Sequence, residues 1–278
     1  MRQTFAHLLL LPFAAGALLF LYLAWNDSDY APGIIPFVLV GAVIWIFSPQ
    51  INWWWYSRRP PELPDALRVL LERGSVFYRA LPPAGQQRFR HRVALFMMGT
   101  DWMPIGWPEE RPLPLDIQLA LATPAVTLTW NEQEFLFYKL EKVVVYPYPF
   151  PSPQHDYPHA SELYAPDGCL LFSAEQLMAS FLHPGSMYNI GMHEYAKAFV
   201  LTYPDKPYPT LNAPDIWERL EACSRMSRAH VESVVGLAGL EPLPVAIHHY
   251  FLFPQAFRAV LPEAAAALDV VFAGPSLR

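Results

Sequence analysis

Two long stretches near the start of this chain contain no charged residue, and they constrain its architecture more than anything that follows. Residues 8–25 read LLLLPFAAGALLFLYLAW, and residues 33–56 read GIIPFVLVGAVIWIFSPQINWWWY. At about 1.5 Å per helical residue, the first nearly spans a hydrocarbon core of about 30 Å and the second exceeds it. A signal peptide would have a shorter apolar core, about 7–15 residues, followed by a small-residue cleavage site. Here the first stretch runs through NDSDYAP into the second. The cluster Trp53, Trp54, Trp55 and Tyr56 suits a membrane–water boundary. The pattern predicts a transmembrane helical hairpin over residues 1–57, with the lipid bilayer as its partner. Arg2 precedes the first span, Arg58 and Arg59 follow the second, and the loop between holds only Asp27 and Asp29. An excess of basic residues on the cytoplasmic side places both ends there. The expected location is therefore the cell inner membrane, multi-pass, with the soluble domain cytoplasmic.

Residues 58–79 read as a linker, RRPPELP, and a first helix, and residues 80–278 as the main domain. Net charge is −6, and no basic run extends beyond Arg58 and Arg59. Nucleic acid is not an expected partner, because phosphate binding calls for clustered Lys and Arg. Cys169 and Cys223 are too far apart in sequence to suggest a metal knuckle or disulfide framework. Helical patterns cover 65–80 and 84–98, and the Pro- and Trp-rich stretch 101–114 reads as irregular. Residues 115–130 suggest a buried helix interrupted near Pro124. Residues 141–153 open as a strand at Val143–Tyr146 and end in alternating prolines, a loop or a polyproline ligand. Residues 168–177 read as a strand followed by a helix, with Ser173 and Gln176 spaced as a capping box. Further helices are expected at 190–201, 213–234 and 244–253, with Pro244 in the first turn of the last. His155 and His159 read as part of a solvated loop rather than a metal tract. There is no Gly-rich phosphate loop, and Ser173 lacks a nucleophile elbow.

The segment NIGMHEYAKAF, residues 189–199, carries the candidate chemistry. Ser186 or Asn189 can cap its helix. In the H-E-x-x-H pattern two histidines on one helical face bind zinc and the glutamate activates water. His193 and Glu194 match its first two positions, but Lys197 stands at the fifth. Taken alone, a His-Glu pair on a helix is more often structural than catalytic.

The order of five segments adds to this. LPPAGQQRFRHRVALFM, DIQLALATPAVTLTW, YKLEKVVVYPYPF, GCLLFS and NIGMHEYAK follow one another across roughly residues 80–262. In that order and spacing the chain resembles the Mlc titration factor A family of zinc metallopeptidases. The resemblance implies an α+β, zincin-like peptidase domain with zinc as cofactor, His193 as first ligand and Glu194 as general base. Carried over by position, the second ligand falls on Lys197 and the third on Pro244. A nearby family glutamate falls on His248. An ammonium has no lone pair, and neutralising a lysine at pH 7 costs about 4–5 kcal/mol. Catalytic zinc usually takes three protein ligands and a water. His248 or His249 could contribute, but helical neighbours point about 100° apart, so only one of them could reach. Lys197 could instead pair with Glu194 at i, i+3 and replace the metal's charge. The expectation is a domain that binds no metal, has lost hydrolysis, and acts by binding a protein or peptide. Family members bind a transcriptional repressor, but no residue here identifies that partner. The alternatives are a working zinc peptidase with rearranged ligands, and a membrane-bound scaffold.

Overall fold

The computed structural model describes residues 5–107 and 111–273, so Arg2 lies outside the described residues. The chain divides into two compact units, Met1–Pro61 and Glu62–Arg278.

The first unit contains α1 (Phe5–Asn26), a 3-10 turn at Ser28–Gly33, α2 (Ile34–Ile46) and α3 (Ser48–Arg58). Among the described residues two segments are long and apolar enough to cross a membrane. They are Phe5–Asn26 and Ser28–Ile46, with mean hydropathy 2.2 and 1.7. The two arms run antiparallel. Phe37 fills the space over Gly16, and Phe20 fills the space over Gly33. Farther along, Asn52 Oδ1 accepts the Ala6 N–H at 2.8 Å and Phe5 stacks on Trp55 at 3.9 Å. The second arm therefore includes α3, and Asn52 satisfies one of the orphan donors at the start of α1. The expected single stretch 33–56 is divided at Phe47, where Pro49 in the first turn of α3 cannot donate to the preceding helix. Arg58 and Arg59 lie over the rings of Trp54 and Trp55, at 4.7 and 4.4 Å.

The second unit opens with α4 (Asp65–Gly74), α5 (Val76–Ala80) and α6 (Pro83–Gly99). The expected helix 65–80 breaks at Ser75, whose hydroxyl caps α5 by accepting the Tyr78 N–H at 3.1 Å. Then come β1 (Asp101–Pro104), α7 (Leu115–Leu128), β2 (Lys142–Tyr146), β3 (Ser161–Tyr164) and β4 (Cys169–Ser173). The stretch expected to be irregular thus begins with a strand, which pairs in parallel with β2 through Asp101↔Lys142 and Pro104↔Val145. Strand order is β1-β2-β4-β3, with β3 antiparallel at the edge. α7 is not interrupted at Pro124. Thr123 and Thr127 donate their hydroxyls to the carbonyls of Leu119 and Thr123, one turn back, at 2.7 and 2.8 Å.

The chain continues with α8 (Ala174–Leu182), α9 (Ile190–Thr202), α10 (Ile216–Ser224), α11 (Arg228–Val235), α12 (Pro242–Leu252), α13 (Pro254–Val260) and α14 (Pro262–Phe272). Ser173 precedes α8 but makes no capping bond; its hydroxyl is buried without a partner. The expected helix 213–234 divides at Arg225, which takes φ 63°, and Ser227 caps α11. The fold is α+β, with α9 at its centre, packed against α7, α8, α12, β3 and β4. Gly191 permits that packing, because a side chain there would crowd Leu177 at 3.1 Å and Pro124 at 3.3 Å.

Candidate active site

Asn189, not Ser186, starts α9. Its Oδ1 accepts the Met192 N–H at 2.8 Å. That cap sets the helix phase, so His193 and Glu194 fall in the buried middle of the unit.

On the β3 side, Lys197 Nζ lies 2.8 Å from Glu194 Oε2, and Ser161 donates its hydroxyl to Glu194 Oε1 at 3.0 Å. Glu194 is fully buried, whereas the Lys197 side chain is 32% exposed. Burial is the largest influence on the Glu194 carboxyl and pushes its pKa up. The Lys197 charge and the hydrogen bonds from Lys197 and Ser161 together outweigh it and hold the group below its ordinary range.

On the other side, His193 Nδ1 lies 2.6 Å from the Tyr188 hydroxyl. Its Nε2 is buried with no hydrogen-bond partner, and Glu194 Oε1 is 4.0 Å from it. Burial, helped by Lys197 and opposed by Glu194, lowers the His193 pKa to about 4. The Tyr188 ring stacks on His248 with centroids 4.1 Å apart, so one tyrosine meets both histidines. His248 Nε2 accepts the backbone N–H of Asn189 at 3.0 Å. A neutral His248 therefore carries its proton on Nδ1, which faces His249 Nδ1 at 3.0 Å. His249 must accept there and hold its own proton on Nε2, a buried atom without a partner. Burial lowers His248 well below the ordinary imidazole value and His249 to about 4. Pro244 is buried in the first turn of α12 and offers no side-chain donor.

These residues do not fit a catalytic zinc. His193 offers one ring nitrogen. Glu194 is engaged by Lys197 and Ser161, and His248 by Asn189 and His249. A cation stands one turn after His193, where it would repel a metal. Among the described residues no group of three or more His, Cys, Asp or Glu side chains could hold a metal ion.

The loop containing His155 and His159 differs from expectation. His159 is buried, with Nε2 3.0 Å from Glu162 Oε2 and Nδ1 3.1 Å from the Tyr157 carbonyl. The bridge between Phe150 and His159, and the Ala160 N–H bond to Val235, pull this end of the loop inward. Tyr188 and Ser161 are polar members of the centre that the sequence did not single out. Tyr188 stands five residues before His193, just ahead of the cap, and that position was its one local signal.

Comparison with known families gives the class. The family model described as glucose-regulated metallo-peptidase M90 matches residues 51–199, more than half of the 278-residue chain. The chain belongs to that metallopeptidase family. The match runs from α3 to Phe199 and so includes His193, Glu194 and Lys197, but not α12. No curated protein matches the chain.

Proposed function

We propose that this chain is a membrane-anchored member of the family that has lost peptide hydrolysis and acts by binding a protein or peptide. The observation that carries the proposal is the 2.8 Å pair between Lys197 and Glu194. In a zinc peptidase of this pattern the glutamate must be free to take a proton from water beside the metal. Here the general-base position is buried, hydrogen-bonded by Ser161 and neutralised by a cation from its own helix. The ammonium supplies the charge that zinc would otherwise supply, and the helix keeps its fold without it. What remains is a peptidase scaffold whose surface can bind a chain it does not cut.

The anchoring part rests on the two apolar segments and on the Asn52 bond to Ala6, which brings the start of α1 and the end of the second arm to one level. With Arg58 and Arg59 at that end, the second unit lies in the cytoplasm at the inner membrane. Reporter fusions after residue 60 are expected to give a cytoplasmic signal, and a periplasmic one overturns the orientation.

Elemental analysis of the dialysed protein tests the central part. Far less than one zinc per chain is expected, together with no metal-dependent peptide cleavage. Stoichiometric zinc that His193→Ala removes would instead establish a working centre with rearranged ligands.

A further inference from the structure

Basic side chains are concentrated directly after the hairpin. Residues 58–92 hold eight arginines and three carboxylates, net +5, in a chain of net −6, so the remaining residues carry −11. They form no contiguous run, but three successive helices carry most of them. Arg73 is in the last turn of α4, Arg79 in that of α5, and Arg88 and Arg90 are in α6. Arg79 Nη1 donates to the carbonyls of Glu72 and Arg73, at 2.7 and 3.0 Å. Arg90 Nη1 donates to the Tyr78 hydroxyl at 2.7 Å. Arg79 thereby folds back onto the end of α4 beside Arg73, and Arg90, half-buried, reaches the hydroxyl of Tyr78, the residue before Arg79. Arg73 and Arg79 are exposed. Among the described residues, none of Arg73, Arg79, Arg88 and Arg90 forms an ion pair with a carboxylate, whereas Arg68 pairs with Asp65. Val69, one turn before Arg73 on α4, is an exposed apolar side chain beside them.

We propose that the corner formed by α4, α5 and α6 is a docking surface for an anionic phospholipid bilayer. Guanidinium forks match the phosphate oxygens of headgroups, and arginines near an anionic membrane surface add up. The choice of lipid over another polyanion follows from the tether. From Arg59 to Asp65 is six residues, at most about 20 Å of extended chain. A hairpin inserted in the bilayer therefore keeps α4 within reach of headgroups. This inference rests on the membrane anchoring proposed above.

The test is hydrogen exchange of the full-length protein in nanodiscs of phosphatidylcholine alone, or with one-third phosphatidylglycerol. Slower exchange across α4–α6 is expected in the anionic discs only. Three arginines together correspond to about a hundredfold preference for the docked state, weakened by high salt. Arg73→Gln/Arg79→Gln/Arg90→Gln should abolish the difference, while the Lys triple at the same positions should retain it. The retention separates charge from folding. Equal exchange in both discs, or protection that survives the Gln triple, overturns the docking surface. Protection by a short RNA in neutral discs, without any effect of anionic lipid, overturns it in favour of nucleic acid. A chain that stays soluble and enters neither disc overturns the anchoring itself; one that inserts without lipid-dependent protection overturns only this inference.

Discussion

On the β3 side of α9 the buried polar groups are charged, and on the α12 side they are neutral. Glu194 keeps its negative charge because Lys197 and Ser161 answer both of its oxygens. His193, His248 and His249 remain uncharged because burial makes an imidazolium costly, and hydrogen bonds fix where the proton of His248 sits. In a metal centre one dication would join the two sides, drawing a carboxylate and imidazoles to a common point. Here the two sides meet only at 4.0 Å, between His193 Nε2 and Glu194 Oε1, and Tyr188 ties the neutral side together, with its hydroxyl at His193 and its ring on His248. Two local solutions, an ion pair and a neutral stack, stand where one ion would satisfy both.

The largest expected effect breaks the neutral side with acid. The folded-state pKa of His193 and of His249 is about 4, below the ordinary value of 6.5. Between those values the unfolded chain takes up protons that the folded chain refuses. Stability is therefore complete above about pH 6.5 and falls as pH drops toward 4, by about 3 kcal/mol for each group. His248, also lowered, acts in the same direction. Glu194, whose folded pKa is depressed, contributes stability present above its ordinary value of 4.5 and lost as pH falls through its lower folded value. The histidine loss should thus come first. A thermal midpoint in detergent micelles that stays flat from pH 7.5 to 5 would show that these imidazoles are solvated.

Next in size is removal of the cation. Lys197→Met leaves the fully buried Glu194 carboxylate without its partner. Breaking a buried pair costs about 3–5 kcal/mol, and the partial exposure of Lys197 points to the lower end. A midpoint fall of about 6–12 °C is expected for a unit of this size. Adding Glu194→Gln should recover most of it, because no buried charge then remains. A single variant that melts with the wild type would mean that Glu194 is already protonated.

A smaller effect probes the tyrosine within the neutral side. Tyr188→Phe keeps the ring on His248 but removes the hydroxyl 2.6 Å from His193 Nδ1. The expected loss is about 1–2 kcal/mol, with a changed nitrogen chemical shift for His193 in NMR. An unchanged His193 spectrum would place the hydroxyl elsewhere.

Periodicity and charge showed much of this architecture in advance, and the failures have local causes. The apolar stretches, the Asn189 cap and the strand Val143–Tyr146 depend on near neighbours, so the sequence displays them directly. β1 and β3 are four residues each, too short for alternation to stand out. The breaks at Ser75 and Arg225 are made by a single side chain and a single φ. At the site, Lys197 and Glu194 pair at i, i+3, which helical spacing anticipates. Ser161, 33 residues away, meets Glu194 through tertiary packing, and Tyr188, just before α9, meets His248 on α12; no local pattern encodes either contact.

The smallest expected effect asks whether the two sides can be rejoined. Lys197→His places imidazoles at positions i and i+4 of α9, one turn apart on one face. Without metal the variant should be less stable than the wild type, since Glu194 loses its ammonium. Zinc should restore part of that loss: at ten times its Kd, a ligand bound only by the folded state contributes about 1.4 kcal/mol, or about 3–6 °C. The gain should shrink as pH falls, because protons compete with zinc for the imidazoles. Adding His193→Ala removes one of the pair and should abolish the zinc response. Peptide hydrolysis is not expected to return, because Pro244 offers no third ligand and His248 has both nitrogens engaged. A folded Lys197→His variant whose midpoint ignores zinc would show that side chains at 193 and 197 do not converge. The charge of Lys197 would then be a feature of this helix alone, with no metal position behind it.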